Sequence, residues 1–200
     1  MFWMITALGM LGVAGVSLFA TMNRLGGNVL KAYRTAPVLA ESAFAEGAYG
    51  KVTGIASSNK KLPTAPGLEL PCLVYELVVH EQATDRQTST GYRLVHSEVV
   101  AVEIDVTVGN TIVRVNAHDI YLISGPVYDS QADLRTGGSP YGHTSRIRFV
   151  PPGATVHVVG TLTREVDNDP TASRDYRSLA TRYRMIGKRG QPIALAADLT

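Results

Sequence analysis

Hydrophobic and polar residues alternate along most of the chain after Gly47. The alternating runs are rich in Val, Ile, Thr and Tyr, and a period of two with this composition is typical of β-strands that bury one face. We predict strands at Tyr49 to Ala56, Cys72 to Glu81, Val99 to Val108, Thr111 to Asn116, Thr155 to Val166 and Thr181 to Ile186.

Turns and loops between these runs indicate the fold class. Val108-Gly109-Asn110-Thr111 places a Gly-Asn turn between two β-rich runs, which predicts a tight hairpin because glycine adopts positive φ at no cost. Three loops are expected, at Leu62 to Pro71, Ser124 to Ser145 and Asp167 to Arg174. Short strands without intervening helices favour an all-β fold, which we predict to be a small antiparallel Greek-key or OB-like barrel or sandwich.

The N-terminal segment has a different pattern. Phe2 to Met22 contains no charged side chain, and as a helix at ~1.5 Å per residue it reaches about 31 Å, close to the ~30 Å hydrocarbon thickness of a bilayer. Asn28 to Ala45 is alanine-rich and interrupted by Pro37, and is predicted as a short helical stalk in two pieces. The predicted organisation is a transmembrane helix at 2–22, a juxtamembrane stalk at 23–46 and a β domain at 47–200.

Charge next to the predicted span indicates its orientation. Arg24, Lys31 and Arg34 follow the span and no basic side chain precedes it, so the positive-inside rule predicts a single-pass protein of the cell membrane with its N-terminus outside and its C-terminal domain in the cytoplasm. The alternative is a secreted or periplasmic domain that is released by cleavage and begins near Asn23.

Composition narrows the classes of function. The 200 residues are 45% apolar and carry 19 basic against 17 acidic side chains, which excludes a disordered chain and a histone-like basic protein. Cys72 is the only cysteine, so neither an intrachain disulfide nor a RING-type zinc site can form. His80 and His157 alternate with valines and are expected to be half-exposed or hydrogen-bonded strand residues. No nucleophile elbow, phosphate loop or dinucleotide motif occurs, so we predict no catalytic residue, no metal and no cofactor.

Two segments are candidates for a binding surface. Pro63 and Pro66 are expected to hold the 62–71 loop extended and preorganised. A basic run near the C-terminus includes Arg182, Arg184 and Arg189. Because aromatic platforms are scarce beside this run, binding of nucleic acid is not expected, and anionic lipid headgroups or a membrane protein are the expected partners, with the bilayer itself bound through Phe2 to Met22.

Five short segments carry a resemblance to a known family. They are Gly54 to Ala56, Leu62 to Pro66, Pro71 to Tyr75, Ile104 to Gly109 and Pro152 to Thr161. Their order and spacing resemble those of the GIDE domain, also called the beside-a-membrane domain, from about Gly47 to Ala196. The resemblance implies a β-rich domain next to a membrane span, as in the non-RING part of membrane E3 ubiquitin ligase-like proteins. It does not imply ubiquitin transfer, because those ligases use a zinc-binding RING.

From these observations we expect a membrane-tethered, non-enzymatic binding or scaffold module of the GIDE type. One alternative is an enzyme or metal-dependent module built on the 124–145 loop, whose polar residues include Asp129, Asp133 and His143. Another is a GIDE-type relative with E3 ubiquitin ligase-like activity despite the lack of a RING.

Overall fold

A computed structural model describes residues 27–83, 91–130, 143–165, 182–188 and 192–198. These ranges hold an α-helix, α1, at 27–35 and short 3-10 turns at Glu41–Ala43 and Ala117–Asp119. The strands are β1 Tyr49–Ser57, β2 Val74–Ala83, β3 Gly91–Ala101, β4 Ile104–Val108, β5 Thr111–Val115, β6 Ile120–Ser124, β7 Val127–Ser130, β8 His143–Val150, β9 Thr155–Glu165, β10 Arg182–Ile186 and β11 Ile193–Ala197.

A closed barrel of five strands forms the centre of the molecule. Its order is β1-β4-β5-β10-β9, and β9 returns to pair with β1 along Tyr49 to Ile55. β1 is long enough to pair with β9 along most of its length and with β4 at its end, which closes the ring. β11 and β6 continue the sheet beyond β9.

The prediction of an antiparallel barrel needs one correction. β10 runs parallel to β5, and β11 runs parallel to β6, whereas the other pairs are antiparallel. Parallel neighbours are joined through distant parts of the chain, so the local pattern contains no sign of them. The predicted Gly-Asn hairpin is confirmed, with Val108 opposite Thr111 and Gly109 at φ 57°.

A second sheet of four strands, in the order β3-β2-β8-β7, is formed by two chain excursions between strands of the barrel. The predicted strand Val99 to Val108 is in fact two strands, because the chain passes from β3 to β4 at residues 102–103. The predicted 124–145 loop is also corrected, since β7 lies within it and pairs with β8. Buried residues Leu73, Val74 and Val150 place the base of this sheet in the barrel core.

The segment predicted as a stalk lies against the barrel. Val29 and Ala36 of this segment are buried together with Val159 of β9 and Ala194 of β11. The helix ends before Pro37, and the expected second helical piece is instead an extended stretch beside Lys51, followed by a 3-10 turn, because proline lacks the amide hydrogen that a helix requires.

The predicted span Phe2 to Met22 lies outside the described residues. Within the ranges that are described, no helix combines the length and apolar character needed to cross a bilayer.

Candidate functional site

The outer wall of the barrel carries a charge network across β4, β5, β10 and β9. Arg114 Nε lies 3.2 Å from Asp105 Oδ1 and 3.5 Å from Glu103 Oε1, and Arg114 Nη1 lies 3.4 Å from Glu165 Oε2. Arg184 donates to the other oxygen of Glu165. Alternation along the strands brings these side chains to one face, because Asp105, Arg114 and Arg184 stand in one cross-strand row.

This network determines the charge of the predicted basic surface. Glu165 bridges two arginines that face each other across the parallel pair β5 and β10. Burial lowers the pKa of the Arg114 guanidinium, but the hydrogen bond to Asp105 and the charges of Asp105, Glu165 and Glu103 outweigh burial and raise it above its ordinary value. Arg184 and Arg114 therefore share the carboxylate of Glu165 in the barrel wall.

The other two arginines of the predicted surface differ from Arg184. Arg182 lies on the same outer face of β10, directly across from Glu165 of β9. Arg189 lies outside the described residues. Of the predicted surface, the two described arginines, Arg182 and Arg184, both lie beside Glu165.

The 62–71 loop is closed on itself over the second sheet. Cys72 donates its amide hydrogen to the carbonyl of Pro63 at 3.0 Å, and Thr64 bridges to Pro71. Ala65 is buried beneath the loop with Cys72, against apolar side chains of β2 and β8. Pro66 stays exposed at the turn. Burial raises the pKa of the Cys72 thiol, which suits a packing role better than a nucleophile.

A hydrogen-bonded chain on the outside of the barrel was not predicted from the sequence. Thr53 Oγ1 on β1 lies 2.8 Å from Nδ1 of His157 on β9, and His157 Nε2 lies 3.0 Å from Asp198 Oδ1. The pKa of the Tyr33 hydroxyl, on α1, is raised above its ordinary value. Burial is the larger cause, and the charge of the Asp198 carboxylate adds to it. Lys51 Nζ sits 4.2 Å from the centre of the Tyr33 ring.

The donor and acceptor roles in these hydrogen bonds follow from the tautomer of His157. If Thr53 donates to Nδ1, then Nε2 carries a hydrogen and donates to Asp198, so neutral His157 satisfies both contacts. A hydroxyl, an imidazole and a carboxylate in this order also occur in nucleophilic enzymes. Here the two hydrogen bonds connect β1, β9 and the residue that follows β11. The expectation that His157 is a hydrogen-bonded strand residue is confirmed.

The edge strand β3 of the second sheet exposes three large apolar side chains, Leu94, Val95 and Val99. Residues 94–99 of β3 are all exposed, with Val95 at 52% and Val99 at 47% of their full accessibility. His96 Nε2 lies 3.5 Å from Glu98 Oε2 on this strand. Among the described strands, β3 pairs with β2 alone, so its outer edge offers unpaired backbone groups.

The alternative site on the 124–145 loop is described only in part. Asp129 on β7 accepts a hydrogen bond from Arg146 Nε at 2.8 Å, whereas Asp133 lies outside the described residues. Within the described ranges, no three His, Cys, Asp or Glu side chains come together as metal ligands do.

Comparison with known proteins gives no match to a family model, to a curated protein or to a solved structure. The resemblance to the GIDE domain therefore remains a prediction from the sequence.

Proposed function

We propose that this chain is a membrane-tethered, non-enzymatic binding module of the GIDE type, built on an OB-like barrel. The strand order supports an OB-like barrel. With the barrel strands renumbered along the chain as 1 to 5, the order β1-β4-β5-β10-β9 becomes 1-2-3-5-4, closed by pairing of 4 with 1. That order, with strands 3 and 5 parallel, is the arrangement of an OB-type barrel, a fold used mainly for binding.

The observation that carries the proposal is the position of the first described turns of α1. Val29 and Ala32, in these turns, line a small cavity together with Tyr49, Ile186 and Lys188. These turns therefore lie on the barrel wall beside the first residue of β1 and the last residue of β10, both of which pair with Thr161 of β9. A membrane span at Phe2 to Met22 would join the domain in this region, which we call the anchor end.

The first excursion into the second sheet begins at the other end of β1. β1 runs from Tyr49 at the anchor end to Ser57, a distance of about 26 Å at ~3.3 Å per residue. Near Ser57 the chain meets the base of the second sheet, because Ala56 accepts a hydrogen bond from Gly153, and Leu73 donates to Val150. The length of β1 therefore separates the anchor end from this base.

Exposed cations at the anchor end favour anionic headgroups as the lipid partner. Lys31 and Arg34 are exposed on α1, and Lys188 lines the cavity beside its first turns. Each basic side chain near an anionic leaflet contributes about 1 kcal/mol of attraction. Tethering then concentrates the second sheet in a thin layer, where a membrane protein partner needs little intrinsic affinity.

Hydrogen exchange of the full chain in lipid nanodiscs tests the proposal. We expect α1 and residues 186–188 to exchange more slowly in anionic than in zwitterionic nanodiscs. Combined Lys31→Glu, Arg34→Glu and Lys188→Glu should remove the difference. Lys60→Glu with Lys61→Glu is the matched control, because both lysines are exposed and follow β1 at the opposite end. Equal exchange in the two lipids, or release of the protein from membranes without detergent, would contradict the proposal.

A further inference from the structure

The edge strand β3 has an arrangement of side chains that is complementary to itself. His96 and Glu98 are exposed and flank Ser97, and valines lie one residue further out on each side, at Val95 and Val99. The sequence around Ser97 is thus apolar, basic, small, acidic and apolar. An antiparallel copy of the same strand, centred on Ser97, reverses this order and so places each imidazole opposite a carboxylate.

We propose that two copies of this chain associate edge to edge through β3, antiparallel and centred on Ser97, so that their second sheets join. In this register, His96 stands opposite Glu98 of the second copy, and Val95 stands opposite Val99 of the second copy. Cross-strand pairs of opposite charge and of β-branched residues each stabilise a sheet by a few tenths of a kcal/mol to about 1 kcal/mol.

Other registers are less favourable. A pair related by two-fold symmetry must be centred on one residue, because backbone groups that point out of the edge alternate along the strand. Centring on Glu98 opposes two carboxylates, and centring on His96 opposes two imidazoles. Within this stretch, the Ser97 register alone places the imidazole of His96 opposite the carboxylate of Glu98.

The rest of β3 limits the length of the joint. The ladder with β2 has a register shift between Val79 and His80, which leaves Val95 as an extra residue on β3. Bulges of this kind interrupt pairing. With Ser97 at the centre, Val99 faces the bulged Val95 of the second copy, so the regular joint is limited to His96 to Glu98. A short joint stabilises a dimer weakly in solution, and confinement of the chain to a membrane raises its effective concentration.

A cysteine at the centre of the joint tests the inference. In the proposed register, Ser97 faces Ser97 of the second copy at a Cα separation of about 4.5–5.5 Å, which a disulfide can span. We expect the full-length Ser97→Cys protein in membranes to form a disulfide-linked dimer under mild oxidation. Cys72 is buried and does not compete. The lack of a crosslinked dimer would overturn the inference.

Two further variants test the register and the charges. Glu98→Cys should crosslink much less, because the two cysteines would be offset by about 7 Å along the strands; efficient crosslinking there and not at Ser97→Cys would overturn the register. In the Ser97→Cys background, His96→Glu or Glu98→His should reduce crosslinking several-fold, and the double swap should restore it. If the single changes reduce crosslinking and the double swap does not restore it, the pairing of His96 with Glu98 is overturned. The pairing of β3 itself needs no contact between the anchor end and lipid, and the inference rests on the proposed function only for the effective concentration that a membrane gives.

Discussion

Closure of the barrel depends on a glycine, and its replacement by alanine is our most specific prediction for stability. Gly54 lies where β1 leaves β9 and reaches β4. A Cβ atom at Gly54 would sit 2.2 Å from the carbonyl oxygen of Thr107 and 2.9 Å from its carbonyl carbon. Both are backbone atoms, so β4 must move by about 1 Å before the contact becomes an ordinary one.

The expected magnitude follows from the kind of atoms that clash. Extra atoms in a packed interior cost about 1–3 kcal/mol and sometimes more. Because the obstacle at Gly54 is backbone in a closed barrel, we expect the upper part of that range. A chain of this size loses about 2–4 °C of Tm for each kcal/mol, so Gly54→Ala should lower the Tm by about 5–12 °C.

Two other glycines give matched controls for this experiment. At Gly160 the nearest atom to an added Cβ is the side-chain Cγ of Met185, at 2.6 Å, and a flexible side chain yields more easily. At Gly27, at the start of α1, an added Cβ meets nothing within 4 Å. Chemical denaturation should therefore rank the loss of stability as Gly54→Ala above Gly160→Ala, with Gly27→Ala neutral or slightly stabilising. If the free energy of unfolding of Gly54→Ala lies within about 0.5 kcal/mol of that of the native chain, the close approach of β1 and β4 is refuted.

Three further predictions concern single groups. Cys72 is fully buried and burial raises the pKa of its thiol, so alkylation of the native protein should be slow and should accelerate only as denaturant unfolds it; fast native labelling would show that the 62–71 loop opens. The hydrogen bond from Arg146 holds the pKa of Asp129 below its ordinary value, so this pair contributes above the unfolded pKa of the carboxyl and is lost as pH falls through the lower folded value. An NMR titration should show the Asp129 midpoint rising in Arg146→Gln, and an unchanged midpoint would contradict the pairing. Glu165→Gln should strengthen binding to anionic vesicles, because it releases Arg184 from its ion pair. Arg184→Gln in the native background should leave vesicle binding nearly unchanged. A large loss of binding in Arg184→Gln would show that Arg184 already binds the vesicles.

The sequence predicts best the strands that bury one face and expose the other. β1 alternates between barrel interior and surface for most of its length, and β9 alternates from Thr155 to Val158 before a run of buried residues. Their predicted bounds differ from the observed ones by one residue. β11 was missed because all five of its residues are buried, so it has no polar alternation. β3 was predicted only in part, since residues 94–99 are exposed on both faces.

Prediction of the candidate sites is limited in the same way, because local alternation shows which face a residue lies on but not which residue lies beside it. Alternation correctly places Arg182 and Arg184 on one face of β10, but it does not show that Glu165 lies beside Arg184. Likewise, Thr53 and His157 are 104 residues apart, and only the register of β1 with β9 makes them neighbours. Contacts of this kind depend on which strands pair, and local periodicity carries no information about that.

Two excursions of the chain, separated by β4 and β5, build the second sheet. One leaves the barrel after Ser57 and supplies β2 and β3, and another leaves after Val115 and supplies β7 and β8. β2 pairs with β8 along eight residues, so the two excursions form one sheet. They leave the barrel at different places: Ser57 lies about 26 Å along β1 from Tyr49, whereas Val115 pairs with Met185, one residue before the end of β10. The pairing of β2 with β8 therefore joins segments that start at separate points of the barrel, and no pattern within either segment indicates that they meet.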